Sequence, residues 1–510
     1  MKQQKLKNVI ADIDQPPITT HKRWHGLAQS IEQEHDFQAL RVEGKLPNDI
    51  NGTFYQNGPG LFERDEDRYT HVFDCDGLMR AVKIQDGGAT GAAKIVQSEG
   101  LLAERQAGKT LMSGIETTCY GLKPSFNRLK ALATGKIDTK NNANTSLVIW
   151  QDRLLALYEA SPITELNPQT LEIIGETTLG GVIKGSFTAH PHWVSERKTS
   201  FGFGVDLEGL KTVLNIYELP SSGPCKVLTQ VALKWRPVGY VHDFIATPNY
   251  LVFFIPPIHL PASKLYNVVK GDGNFTHIEW RDSLGSEVII IPIDNPKNVT
   301  RFKCQPFIGI HFANAFEENG KIITDFTYSQ DTVLYKSIGP TPTLPSQQSV
   351  KIKYLNRKPH SSVLKRATID VQNSTIGFNT LWNNFCEFPK INPGLQGSNY
   401  QFIYMLQQSD SCAETTPFFS DIVKLNTKTG DTEVLELGSE LYPAEPLFIR
   451  KQDALKEDEG YLLCMVYDGN INKNHIIIID AQDIMSGPIA KIHFEQAMPF
   501  GFHCFWHPAK

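Results

Sequence analysis

What most constrains this chain is a recurrent short pattern: two apolar, β-branched runs flanking a polar turn of Asn, Asp, Pro, Ser or Gly. It occurs at residues 154–176 (LLALYEASPITELNPQTLEIIGE), 212–233 (TVLNIYELPSSGPCKVLTQVAL), 287–302 (EVIIIPIDNPKNVTRF), 421–437 (DIVKLNTKTGDTEVLEL) and 475–494 (HIIIIDAQDIMSGPIAKIHF). Each unit reads as a β-hairpin. Helical periodicity is confined to residues 127–134 (NRLKALAT) and 101–110, so the chain is expected to be all-β with few helices. Hairpins recurring along the whole length fit propeller blades with long excursions inserted between strands, and a multi-sheet sandwich is the competing reading. No linker rich in Pro, Gly or Ser divides the chain, so residues 1–510 read as a single domain with irregular insertions at 136–144 and 339–350.

Charge and apolar runs narrow the functional classes. Fifty Lys and Arg against 55 Asp and Glu leave a net charge of −5, which offers no global positive field for nucleic acid. The longest apolar runs, Tyr250–Ile255 and Ile476–Ile479, fall far short of the roughly 20 residues that span a bilayer. The N-terminal MKQQKLKNVIADIDQPP has no apolar segment behind its basic residues, so the expected location is cytoplasmic, with membrane contact peripheral if it occurs. Eight cysteines without a CxxC pair argue against a disulfide framework and a thiolate zinc site; most are expected to be reduced and buried.

Fifteen histidines are present, and an isolated histidine is ordinarily a surface or core residue. Four stand apart: His190 in GSFTAHPHW, His242 in GYVHDFIATPNYLVFF, His311 in GIHFANAFEENGKIITD and His503 in MPFGFHCFWHP. Each lies near Gly, Pro or Asp beside a strand-like run, where a strand would end near a central axis. They are too far apart in sequence to share a helix or hairpin. A propeller would bring them together, because the inner strand of every blade lines one axial channel. Four neutral imidazoles suit a first-row divalent metal and leave its charge intact.

The segment at 51–84, NGTFYQNGPGLFERDEDRYTHVFDCDGLMRAVKI, resembles the N-terminal signature of the carotenoid cleavage oxygenases. The four histidine segments resemble that family's ligand motifs, in the same order. The resemblance implies a seven-bladed β-propeller with a helical and loop cap over an axial iron site. It further implies non-haem Fe(2+) held by His190, His242, His311 and His503, and cleavage of a conjugated double bond by O2 into two carbonyl products. Glu159, Glu387 and Glu445 lie in apolar or Pro-containing strands where an unpaired carboxylate would be costly. They match the family's glutamates that orient ligands, so Glu159 is expected to pair with His242, Glu387 with His311 and Glu445 with His503. His71 is expected to be structural, and His192 and His507 lack the match. Asp74 and Asp76 read as turn chemistry, since they offer too few oxygens for calcium. Cys75 and Cys504 stand where the family usually has Gly.

Thr145 matches a position that limits access to the metal in several members of the family. Tyr158 stands near where stilbene-cleaving relatives carry a Lys that engages a phenol, so an apocarotenoid or other apolar polyene is favoured over a stilbene. A lignostilbene dioxygenase and a retinoid isomerohydrolase are the alternatives. A polyene substrate partitions into membranes, and NRLKALAT and FFIPPIHLP (253–261) are the candidate docking patch and tunnel mouth.

Overall fold

The structure is a computed structural model and describes residues 23–509, apart from 65–66, 70, 116, 135–139, 209–210, 234–240, 273–276, 332–361, 410–411, 413–415 and 417. The N-terminal segment, the 339–350 insertion and residues 136–139 of the 136–144 insertion therefore lie outside the described residues.

All five hairpins read from the sequence are antiparallel strand pairs. Arg153–Leu157 pairs with Ile163–Leu166, Lys211–Pro220 with Lys226–Leu233, Ser286–Pro292 with Thr300–Cys304, Asp421–Asn426 with Thr432–Glu436, and Lys473–Asp480 with Pro488–His493. They lie in five of seven sheets of four to six strands, the blades of a seven-bladed β-propeller. Blade 1 is built on Gly52–Gln56, Asp76–Gln85 and Gly88–Ile95. Blades 2 to 6 begin at Ser146–Trp150, His192–Val194, Ile245–Ala246, Ile308–Glu318 and Cys386–Lys390. Blade 7 begins at Leu441–Pro443 and Leu447–Arg450.

Seven apolar clusters each join two neighbouring blades, including blade 7 to blade 1. The strand Gly460–Asp468 shows how the sequence encodes this. Because side chains alternate between faces, Leu462, Cys464 and Val466 pack toward blade 6, while Leu463 and Met465 pack toward blade 1. A strand buried on both faces must therefore read as a continuous apolar run, as GYLLCMVY does. Outer strands such as Thr375–Trp382 meet solvent and carry polar residues.

The ring is closed twice. Cys504–Pro508 pairs with Gly52–Gln56 inside blade 1, and Arg41–Gly44 pairs with Pro488–His493 inside blade 7. Hairpins within the blades use the expected turn chemistry. Asp86–Gly87 and Asn319–Gly320 both take positive φ (53° and 72°, 51° and 73°), the conformation that lets a two-residue turn follow the strand twist.

Among the described residues, three α-helices sit in insertions. The first, Glu99–Ala107, begins two residues before the expected start because Ser98 caps it, accepting the Leu101 N–H, and stops early at left-handed Gly108. The second, Leu122–Thr134, contains the expected 127–134 and starts five residues sooner. The third, Leu265–Lys270, is bound to the second region through Arg128, which donates to Val269 O, Ser113 Oγ and Cys119 O. This cap is anchored at the turn 72–74. Asp74 accepts from the Ile115 and Thr117 N–H groups, and the Phe73 ring packs 5.4 Å from Phe502, next to His503.

The FFIPPIHLP stretch is not a surface patch: Phe253, Phe254, Ile255, Ile258 and Leu260 are all buried. Its first half is a blade 4 strand whose faces are covered by blades 3 and 5, which is why it is apolar. Exposed apolar side chains are scattered singly over the blades, as at Ile174, Leu455 and Ile471, and several lie together on the cap, at Tyr120 (66% exposed), Leu122 (93%), Phe126 (67%), Leu129 (57%) and Tyr266 (63%). Among the described residues, no helix is long and apolar enough to cross a membrane. All eight cysteines are free thiols, and six of them are buried.

Candidate metal centre

Every blade delivers one residue of interest at or near the start of its first strand, or of the closing strand in blade 1. His503 precedes the closing strand, Thr145 precedes blade 2, and His190 and His242 precede blades 3 and 4. His311 and Glu387 lie in the first strands of blades 5 and 6, and Glu445 sits between the two short strands that open blade 7. Residues scattered over more than 300 positions thus converge because the blades repeat.

Among the described residues, His190, His242, His311 and His503 form the group able to hold a metal ion, with one ring nitrogen from each within 4.8 Å of the others. His242 Nε2 lies 3.1 Å from both His190 Nε2 and His311 Nε2. The backs of three rings are fixed by carboxylates. His242 Nδ1 meets Glu159, His311 Nδ1 lies 2.7 Å from Glu387 Oε2, and His503 Nδ1 lies 2.9 Å from Glu445 Oε1. These are the three pairs expected from the sequence.

With Nδ1–H donated to a carboxylate, each of those rings presents an Nε2 lone pair to the centre. Three lone pairs then face one another with no proton between them, an arrangement that repels itself and suits a central cation. The donor set therefore fits a divalent first-row ion.

Burial, reinforced by the neighbouring His503, His242 and His311, holds His190 well below the ordinary histidine range. Burial also takes His503 down to about 4, although Glu445 pulls the other way. Both rings are thus neutral near pH 7, as metal ligation requires. Burial acts against the charged form of His242 too, but Glu159 outweighs it and raises that ring.

Further side chains tighten the cage. Thr327 donates to Glu387 Oε2 and accepts the His311 N–H, while Ser362 donates to Glu387 Oε1 at 2.8 Å. Asp243 connects the segments of His190, His242 and His311: its Oδ1 meets His192 Nε2 and the Phe244 N–H, both at 2.7 Å, and its Oδ2 accepts the Phe312 N–H at 3.0 Å. Lys390 donates to Glu445 Oε1 at 2.8 Å. Phe388 takes φ +56°, costly for a bulky residue and more so before a proline. Its ring stacks 5.2 Å from His311 and lies 5.4 Å from His503, an apolar wall against these imidazoles. Sequence reading missed Asp243, Lys390, Thr327, Ser362 and Phe388. The signal for Asp243, its adjacency to His242, was in plain view.

The remaining sequence candidates have defined places. Thr145 is buried, its hydroxyl donating to Asn144 Oδ1 and its N–H to Leu157 O. Tyr158 is buried with a hydroxyl that bonds to the Asn142 side chain; burial and the charges of Asp74 and Glu159 push its ionisation far up, so it stays neutral. His71 caps the 72–74 turn by accepting the Phe73 N–H, and Asp76 pairs with Lys140 at 2.6 Å. Cys504 donates its N–H to Glu445 Oε2 at 2.6 Å, and burial keeps its thiol protonated. Cys75 is likewise buried and protonated.

The model of the retinal pigment epithelial membrane protein family matches residues 28–508. An apocarotenoid-15,15'-oxygenase of Synechocystis sp. is 30% identical over 493 residues, covering 95% of this chain and 96% of its own. Resveratrol cleavage oxygenase 1 of Aspergillus fumigatus is 26% identical, with 95% of each chain covered. The solved structure of a cobalt-substituted Synechocystis apocarotenoid oxygenase superposes with a TM-score of 0.79 at 29% identity, over 96% of this chain and 98% of that one. By sequence along nearly its full length, and by fold, this chain belongs to the retinal pigment epithelial membrane protein family, that of the carotenoid oxygenases.

Proposed function

We propose that the chain holds one Fe(2+) on His190, His242, His311 and His503 and cleaves a conjugated carbon–carbon double bond of an apocarotenoid or carotenoid with O2. The observation that carries this reading is the convergence of four imidazoles, three with a carboxylate behind the ring. Ferrous iron, when bound, supplies a site at which O2 is activated toward an alkene. The reaction balances without an external electron donor: the double bond breaks, and each oxygen atom ends in one of two carbonyl products.

The residues of the chain do the rest. Glu159, Glu387 and Glu445 hold the imidazoles in one tautomer and orientation. Phe388 keeps one side of the cage apolar and limits water beside the ligands. Thr145, at the blade 2 position equivalent to those of the ligands, is assigned the role of limiting access to the metal. Tyr158 contributes an aromatic ring and no positive charge, which suits an apolar polyene better than a phenol.

The second reading, cleavage of a hydroxystilbene, draws support from the likeness to the resveratrol cleavage oxygenase. A third, isomerisation and hydrolysis of a retinyl ester, uses the same cage without consuming oxygen. Anaerobic Fe(2+) reconstitution followed by an oxygen-uptake screen of apocarotenals, carotenoids and hydroxystilbenes, with retinyl esters assayed alongside for oxygen-independent product, separates all three. We expect uptake with an apocarotenal, two carbonyl fragments by mass, and little activity on a hydroxystilbene. Tyr158→Lys is expected to lower polyene turnover more than iron content. Efficient stilbene cleavage with apocarotenals inert would overturn the substrate assignment.

A polyene reaches a protein from a bilayer, and the exposed cap side chains Leu122, Phe126 and Leu129 form an apolar set for peripheral docking. Losing roughly 1.5 kcal/mol of burial per side chain, Phe126→Glu with Leu129→Glu should weaken sedimentation with lipid vesicles by about 100-fold. Turnover of detergent-dispersed substrate should be unchanged. Equal vesicle binding by the double variant would remove this face from the docking surface.

A further inference from the structure

The three carboxylates behind the ligand rings are not equivalent. Glu387 is satisfied by neutral donors, namely the Ser362 and Thr327 hydroxyls and the Phe388 N–H. Glu445 instead shares one oxygen, Oε1, between His503 Nδ1 at 2.9 Å and the Lys390 ammonium at 2.8 Å, while its other oxygen accepts the Cys504 N–H. Among the described residues, Lys390 is the one ammonium or guanidinium paired with a carboxylate that touches a ligand ring. It reaches Glu445 from the first strand of blade 6, two residues after Phe388 and three after Glu387.

The charges give this pair a meaning. Four neutral imidazoles, a divalent ion and three carboxylates sum to −1, the buried Asp243 adds a further negative charge nearby, and Lys390 supplies positive charge directly on one of the three carboxylates. A carboxylate behind an imidazole makes its Nε2 a stronger electron donor and favours the higher metal charge. A cation on that same carboxylate oxygen opposes the effect. Uncompensated, three carboxylates would stabilise ferric iron at the expense of the ferrous form.

Resting on the reading of the site as an iron centre, we propose that Lys390 is a positioning residue that sets the balance between ferrous and ferric iron. It does so by tempering Glu445 behind His503, which keeps the resting metal ferrous. The charge is the active element: the ammonium lowers the donor strength of one ligand out of four, and the cage becomes electronically graded. His190 has no carboxylate among these three, His503 has a tempered one, and His242 and His311 have untempered ones.

The test uses the full chain reconstituted with Fe(2+), measuring iron content and the Fe(III)/Fe(II) midpoint potential by spectroelectrochemical titration. Lys390→Met and Lys390→Gln remove the charge, the second while keeping a donor for Glu445; Lys390→Arg keeps the charge. Both neutral variants should favour the ferric form about tenfold, a potential about 59 mV more negative for a one-electron couple. Both should also oxidise faster in air, and Lys390→Arg should match the wild type within a few-fold. Since Lys390 is about a third exposed (34%), water can reach Glu445 when the ammonium is gone, so the neutral chains should fold and load iron.

Wild-type potentials in iron-loaded Lys390→Met and Lys390→Gln would overturn the proposal. So would restoration by Gln alone, which would assign the effect to a hydrogen bond. Loss of iron from both neutral variants, with Lys390→Arg intact, would also overturn it in favour of a purely structural ion pair. Absence of iron from the wild-type chain would instead refute the reading of the site itself, a failure distinct from these three.

Discussion

His503→Ala is expected to lose most bound iron and all turnover. His503 is buried, its ring lies 4.4 Å from His190 and 4.9 Å from His311 by centroid, and its removal takes one of four nitrogens from the cage. It also strands Glu445 with Lys390 and the Cys504 N–H as its remaining partners. No nearby group substitutes, because the Cys504 thiol beside it is held protonated by burial. The same outcome is expected for His190→Ala, His242→Ala and His311→Ala, with metal measured by elemental analysis and turnover by oxygen uptake. Wild-type iron and activity in any one of these variants would remove that residue from the ligand set.

Replacing a carboxylate behind a ligand should have a graded effect, a loss of about 10- to 100-fold in metal affinity or activity. The surroundings predict an order. In Glu387→Gln, the new amide NH2 can face Ser362, whose hydroxyl rotates to accept, so the geometry survives and the charge alone is lost. In Glu445→Gln, both oxygens face donors that cannot invert: the His503 and Lys390 hydrogens on one side, the Cys504 N–H on the other. An NH2 at either place meets another donor. Glu445→Gln should therefore fall at the larger end of the range and Glu387→Gln at the smaller, judged by iron dissociation rates and kcat. Equal and negligible effects from both would make the carboxylates structural.

The parts of this molecule that sequence discloses are those encoded locally or by repetition. The five hairpins were legible because two-residue alternation and polar turns are written within about 20 residues of chain. The four convergent histidines were legible by the strand ends beside them and, with Glu159, Glu387 and Glu445, by resemblance. FFIPPIHLP shows the opposite case. An apolar run looks the same whether it meets a bilayer or a neighbouring blade, and blades 3 and 5 decide the matter from opposite sides. Lys390, Thr327 and Asp243 escaped notice for a related reason. Each is an ordinary polar residue whose partner stands 55, 60 or 69 positions away and is chosen by the packing of one blade on the next.

The double closure of the ring bears on how such a centre comes into being during folding. Blades 3, 4 and 5 bring His190, His242 and His311 from one contiguous stretch, so three nitrogens can assemble early. His503 and Glu445 belong to the seam, where strands from opposite ends of the described chain pair across a sequence separation of about 450 residues. Contacts of that span form late, after the entropy of joining distant segments has been overcome. Under the proposed ligand set, a half-folded ring offers at most a weak three-nitrogen site, and tight metal capture waits for the seam to shut. Metal binding then favours the closed ring over every open form by mass action. Iron would serve as the clasp of the ring as well as its chemistry, and the rate at which refolding chains acquire it would time the closing of the last seam.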